Sequence, residues 1–158
     1  MAGLRYTVGA DRLAWGRRTT SVAADVNLLW DERMSQRDEF HNIDDASDGL
    51  FRQLTDGVST RIFAGEQAML SVVTIAPNAI GTMHHHPEEQ WGVLLDGSAI
   101  RYQGGEEIPV KKGDFWRTPG NVPHTMKAGP EGARVLDIFS PPRPEYRKPG
   151  SGFGSGQS

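Results

Sequence analysis

MHHHPEEQWG occupies residues 83–92. In an extended strand alternate side chains share a face, so His84 and His86 point one way and His85 the other. If strand phase resumes after Pro87, Gln90 falls on the face of His84 and His86. Two imidazoles and an amide oxygen on one face can cap a cation. A further imidazole from a distant strand would close the cap, and His124 is the candidate. It stands in PGNVPH, residues 119–124, where proline and glycine stiffen the backbone and aim the ring inward. The alternative is chance clustering of surface histidines, because His-rich tracts are weakly specific. The in-phase pair, the phased amide and the histidine in a rigid turn together favour a metal site.

Strand signals surround this stretch. Ser59–Phe63 and Gln67–Ile75 are β-rich runs joined by Ala64-Gly65-Glu66, a hairpin signal. Gln90–Leu95 closes at Asp96-Gly97, and Ala99–Gln103 closes at Gly104-Gly105. Glu107–Val110, Phe115–Thr118, Thr125–Ala128 and Ala133–Phe139 follow, each ended by a turn signal. Strand signals recurring about every ten residues predict an all-β sandwich or barrel. The barrel is placed at residues 58–146. Residues 1–57 read as an N-terminal extension of strand and loop, with apolar pieces at Leu4, Tyr6, Val8 and Val26–Trp30. That extension could add an edge strand or pack across a dimer. Residues 31–49 read as a charged loop or short helix. Residues 147–158, RKPGSGFGSGQS, read as a flexible Gly/Ser-rich tail.

Bulk properties narrow the class. The chain has 158 residues, enough for one domain with one real core. Its net charge is −3 with no basic stripe, which argues against nucleic acid as a partner. It holds no apolar run long enough for a membrane span. The N-terminus lacks the order of a signal peptide, so a cytoplasmic protein is expected. There is no cysteine, which excludes disulfides, thiolate ligands and cysteine nucleophiles.

Gln90 shapes the expected chemistry. An amide oxygen is a neutral ligand, so three imidazoles and Gln90 leave a divalent ion its full charge. Such an ion binds more weakly than one held by a carboxylate, yet polarises an oxygen more strongly. It also departs from the His/carboxylate set common in iron oxygenases. Isomerisation, ring opening, elimination or hydrolysis is favoured over oxygen chemistry. The metal is Mn, Fe, Co, Ni or Zn, and the ligand types do not choose among them. Glu88 or Glu89 replacing Gln90 as ligand stays open, because a turn at Pro87 could shift the strand phase.

VLDIFSPPR, residues 135–143, is the second informative stretch. Val135, Asp137 and Phe139 share a face. A carboxylate in an apolar strand is costly unless paired or functional. Asp137 either pairs with Arg101, Arg117 or Arg134, or works as an acid/base. Arg143 follows two prolines and could clamp a substrate carboxylate bidentately. Arg101 and Tyr102 alternate, so one of them faces the cavity, and Tyr102 is a further acid/base candidate. Trp116, Met126 and Thr118 are candidate lining residues. Trp91, out of phase with Gln90, reads as packing, and His41 as a surface residue.

Two motifs carry a family resemblance. The first cupin motif, G-x5-H-x-H-x3,4-E-x6-G, is met by Asn78, His84, His86, Gln90 and Gly97. The second, G-x5-P-x-G-x2-H-x3-N, is met by Gly113, Pro119, Asn121, His124 and Ala128. Asn stands for Gly at 78 and 121, and Asn tolerates positive φ better than most residues. Ala128 replaces Asn, and Gln90 replaces Glu. The chain therefore resembles the cupins over roughly residues 58–143. The resemblance implies a single jelly-roll β-barrel, a double-stranded β-helix, with one divalent metal ion in its mouth, and often a homodimer. HxHPxEQ followed by D-x-F-S-P-x-R is similar to the KdgF-like cupins, which open the ring of unsaturated uronates. That resemblance implies His84, His86, Gln90 and His124 as metal ligands, Asp137 as acid/base, Arg143 as carboxylate clamp and Phe139 as pocket wall. The expected function is metal-assisted isomerisation, ring opening or elimination on a small anionic, oxygen-rich substrate. An iron-dependent dioxygenase and a non-catalytic sensor that binds a small molecule are the alternatives.

Overall fold

The computed structural model describes residues 39–154. Seven strands follow one another: β1 (Leu50–Thr55), β2 (Val58–Ala64), β3 (Met69–Ile75), β4 (Glu89–Gln103), β5 (Glu106–Lys111), β6 (Phe115–Thr118) and β7 (His124–Ser140). A short 3-10 turn, Pro144–Arg147, comes after β7. All strand pairings are antiparallel. The sheet order is β1-β2-β3-β7-β4-β5, with β6 paired to β4. This is the all-β barrel that the strand spacing predicts. No helix among the described residues is long and apolar enough to cross a membrane.

Period-two patterning places the core. In β2, Val58, Thr60 and Ile62 are buried while their neighbours are not. Opposite them, Met69, Val73 and Ile75 face inward from β3, and Leu94, Met126, Val135 and Phe139 come from β4 and β7. Burying an aliphatic side chain as fully as Leu94 stabilises by about 1.5–3 kcal/mol. The core is not wholly apolar, since Thr60 and Ser71 share a buried hydroxyl pair at 2.6 Å.

Two expectations change. The sequence divides 90–103 and 125–139 into four short strands, but β4 and β7 run continuously for 15 and 17 residues. Asp96-Gly97 and Gly129-Pro130 act as irregularities within the strands rather than as turns, and the pairing register shifts between Leu94 and Asp96 and again between Gly97 and Ala99. Bulges and turns favour the same residues, which is why the sequence does not separate them. At Gly97, φ is +79° and a Cβ would collide with the Gly132 carbonyl. The bulged β4 and β7 form the frame of the barrel and bring Gln90 opposite Phe139 and Gln103 opposite His124.

The ends also differ from expectation. β1 begins at residue 50, inside the expected extension, and pairs with β2 as an edge strand. Residues 39–49 are turns with no helix; residues 1–38 lie outside the described residues. Of residues 147–158, expected to be a flexible tail, 147–154 instead return to the barrel, and 155–158 lie outside the described residues. Ser151 bridges Gln53 of β1 in parallel, and Phe153 is buried. One aromatic ring finding a cavity outweighs the entropy of its glycine-rich neighbours.

Candidate metal centre

The backbone brings the histidines together. His84 and His124 form an antiparallel bridge, each amide donating to the other's carbonyl at 3.1 and 2.9 Å. Their ring centroids are 4.4 Å apart, and the His86 ring is 5.0 Å from His124. The turn before His124 is pressed onto the stretch that carries His86. The Asn121 amide donates to the His86 carbonyl at 2.7 Å, and a Cβ on Gly120 would collide with the Pro87 carbonyl. Asn78 and Asn121 take φ of +60° and +65°, so these asparagines hold the left-handed conformation that their glycine-like positions require.

His84, His86 and His124 are buried and offer ligand nitrogens within 4.8 Å of one another. The ring of His84 donates Nδ1–H to the Thr82 carbonyl at 2.9 Å, and His124 does the same to Val122 at 2.7 Å. That fixes the tautomer and leaves each Nε2 as an acceptor. The Nε2 of His124 is buried with no partner. Burial is the main cause holding the pKa values down, to about 3 for His84, 4 for His86 and 2 for His124. The imidazoles are therefore neutral at ordinary pH, as metal ligands must be.

Gln90 is buried on the expected face, its Oε1 3.1 Å from His86 Nε2. A hydrogen bond from Gln90 also reaches Asp137. The amide nitrogen faces the carboxylate, so the amide oxygen faces the imidazoles. The two glutamates part company. Glu89 accepts from Trp91 Nε1 at 2.9 Å and pairs with Arg117 at 3.0 Å, turned outward from the histidines. Glu88 is buried on the far side of His86, its Oε2 3.4 Å from Nδ1 and 4.0 Å from Arg143 Nε. It faces the ring nitrogen opposite the one beside Gln90.

A cavity of about 50 Å³ adjoins the histidines, and Asp137, Arg143, Arg101, Phe139, Trp116 and Met126 all line it. Asp137 projects from β7 at the level of Gly92 of β4. Burial pushes its pKa up to about 6, against the opposing pull of Arg101, the Gln90 hydrogen bond and Arg143. Its Oδ1 has no hydrogen-bond partner. Arg101 is held by Thr118 Oγ1 at 2.8 Å and lies over the Trp116 ring. Arg143 is fully buried. Its Nη2 donates to Glu145 at 2.7 Å and to the Phe153 carbonyl, and its guanidinium stacks 4.3 Å from the Tyr146 centroid. Only Nη1 is left without a partner.

Two sequence candidates stay out of the cavity lining: Thr118, which is buried behind it holding Arg101, and Tyr102. Arg101 takes the cavity side of β4, and strand alternation turns Tyr102 to the opposite face, outside the cavity lining. Three residues that matter were missed: Phe153 and Tyr146, which line the cavity, and Arg52, which holds the C-terminal segment. A lone phenylalanine in a Gly/Ser run was the available signal for the first.

Donor chemistry, orphaned nitrogens and spacing thus fit a cation. The fold and the paired motifs define the class: the chain belongs to the cupin family. The family's cupin domain model matches residues 71–139. The chain is 31% identical over 98 residues to the pectin degradation protein KdgF of Dickeya dadantii, covering 61% of this chain and 89% of that one. It is 36% identical over 70 residues to the oxalate decarboxylase OxdC of Bacillus subtilis, covering 41% of this chain but only 18% of that protein. The solved structure of KdgF from Halomonas sp. superposes with a TM-score of 0.58 at 24% identity, over 63% of this chain and 93% of that one. That last likeness speaks for the fold.

Proposed function

We propose that this cupin is a metal-dependent enzyme acting on a small anionic, oxygen-rich substrate of the uronate or keto-acid type, by isomerisation, ring opening or elimination. The proposal rests on one observation. His124 Nε2, Asp137 Oδ1 and Arg143 Nη1 are three buried polar atoms without partners, and their residues line one cavity. Native proteins satisfy such groups almost everywhere, so three orphans in one place mark a site built for a ligand. The similarity to a protein named for pectin degradation supports a uronate, and the similarity to an oxalate decarboxylase supports a small acid.

His84, His86, His124 and Gln90 would hold a divalent Mn, Fe, Co, Ni or Zn ion. When bound, it supplies Lewis-acid polarisation of a substrate oxygen. The protein does the rest. Arg143 Nη1 donates to a substrate carboxylate, and Arg101 adds a second positive charge to the cavity wall. Asp137 takes a proton from substrate carbon or oxygen and returns it elsewhere on the same molecule. Phe139, Trp116 and Met126 exclude water. Expected cytoplasmic placement and a homodimer belong to the same proposal, and sedimentation of the full chain tests the second.

The test uses untagged protein and an unsaturated uronate as substrate. Metal-loaded protein should turn it over, and Asp137→Asn should bind metal and substrate while losing turnover. Oxygen uptake with Fe(II) would instead favour a dioxygenase. Ligand binding with no turnover of uronates or keto acids would favour a sensor.

A further inference from the structure

Residues 148–154 form a strap that reaches the cavity through Phe153. Arg52 of β1 donates from Nε to the Gly152 carbonyl and from Nη2 to the Ser151 carbonyl, both at 2.8 Å, and from Nη1 to the Glu145 carbonyl at 3.1 Å. The Gly152 amide donates to the Gln53 carbonyl at 2.9 Å. Arg143 Nη2 holds the Phe153 carbonyl from the other side. Two buried arginines, costly to remove from water, thus anchor one short strap by its carbonyls. What they deliver is a side chain: the Phe153 ring is 8% exposed, lies 4.2 Å from the His84 ring and lines the cavity.

With Phe153 in place the cavity is about 50 Å³. That is space for roughly four water-sized groups. A small anion fits beside a metal ion there, and the seated Phe153 ring occupies wall that a larger acid would need. The strap has the means to move. Gly152 and Gly154 take φ of +71° and +84°, and glycines at both positions let the chain swing without a Cβ penalty. Withdrawing the ring gives up its packing in the core cluster and against His84 as well as the carbonyl bonds to Arg52 and Arg143, and a bound acid must make up that cost.

We propose that Phe153 determines the size specificity of this pocket: with its ring seated the site admits small anions, and a ring-sized acid binds only by displacing it. This rests on the histidines and Gln90 holding a metal ion, and the experiment separates the two claims. Full-length protein, Phe153→Ala and Phe153→Leu are loaded with Co(II) and titrated with azide and with galacturonate, following the cobalt absorption spectrum. Phe153→Ala should bind galacturonate about tenfold or more tightly than the parent, a gain of about 1.4 kcal/mol, while azide affinity shifts less than about threefold. Phe153→Leu should show a smaller gain in the same direction, and it decides the matter alone if the alanine variant does not fold. Equal galacturonate affinity in parent and variants overturns the proposal, and so does an equal gain for both ligands. Failure of the parent to bind Co(II) overturns the metal reading itself and this inference with it.

Discussion

Mild acid should destabilise the metal-free protein well before its surface carboxylates titrate. His84, His86 and His124 are buried with pKa values held at about 3, 4 and 2. In an unfolded chain the same rings take up protons near pH 6.5. Between those values the unfolded state binds protons that the folded state refuses, so stability falls as pH drops below about 6.5. At about pH 5 each ring costs about 2 kcal/mol, and the three together about 6 kcal/mol. Asp137 works in the opposite sense. Its pKa is raised to about 6 in the folded state, so the folded protein takes its proton first. By about pH 5 that returns about 1.4 kcal/mol. Glu145, with its pKa lowered, enters only below the ordinary carboxylate range. The net loss is about 4–5 kcal/mol, comparable to the whole stability of many small domains. Urea denaturation in the presence of a chelator, at about pH 7.5 and pH 5, measures it. A difference below about 1 kcal/mol would refute the reasoning. So would a His84→Gln, His86→Gln, His124→Gln variant with the parent's pH dependence.

Other perturbations read other parts of the site. Gln90→Glu adds a charged ligand beside His86 and should raise Co(II) affinity about tenfold or more, seen by competition with a chelator. Glu88→Gln removes the buried carboxylate behind His86 and should weaken Co(II) binding about 10–100-fold, with little change in azide affinity of the loaded protein. Gly92→Ala would bring a Cβ to 2.6 Å from the Trp116 indole nitrogen, displacing the ring that supports Arg101. It should cost about 1–3 kcal/mol of stability by denaturation and change Trp fluorescence.

The four proposed ligands were legible because each obeys a local rule. Alternating burial puts His84, His86 and Gln90 on one side although β4 starts only at Glu89 and His84 makes just an isolated bridge, and the stiff turn before His124 fixes where its ring begins. Asn78 and Asn121 were legible as glycine substitutes for the same reason. Alternation alone left Arg101 and Tyr102 undecided. The face each takes depends on the register of β4 against β7, a pairing between residues far apart in sequence. Arg143 was expected as a bidentate clamp, but it is a fully buried group shared between Glu145 and the Phe153 carbonyl, with Nη1 alone lacking a partner. The strap was hidden for a like reason: its composition predicts flexibility, and Arg52, which anchors it, lies 100 residues from Gly152.

The central claim is that His84, His86, His124 and Gln90 hold one divalent ion. Equilibrium titration of untagged, chelator-stripped protein with Co(II), read by its absorption spectrum and by elemental analysis after desalting, tests it directly. One ion per chain, lost in His124→Ala and retained in His85→Ala, is the result the account predicts. Protein that binds no stoichiometric ion, or binds it equally well without His124, would contradict it.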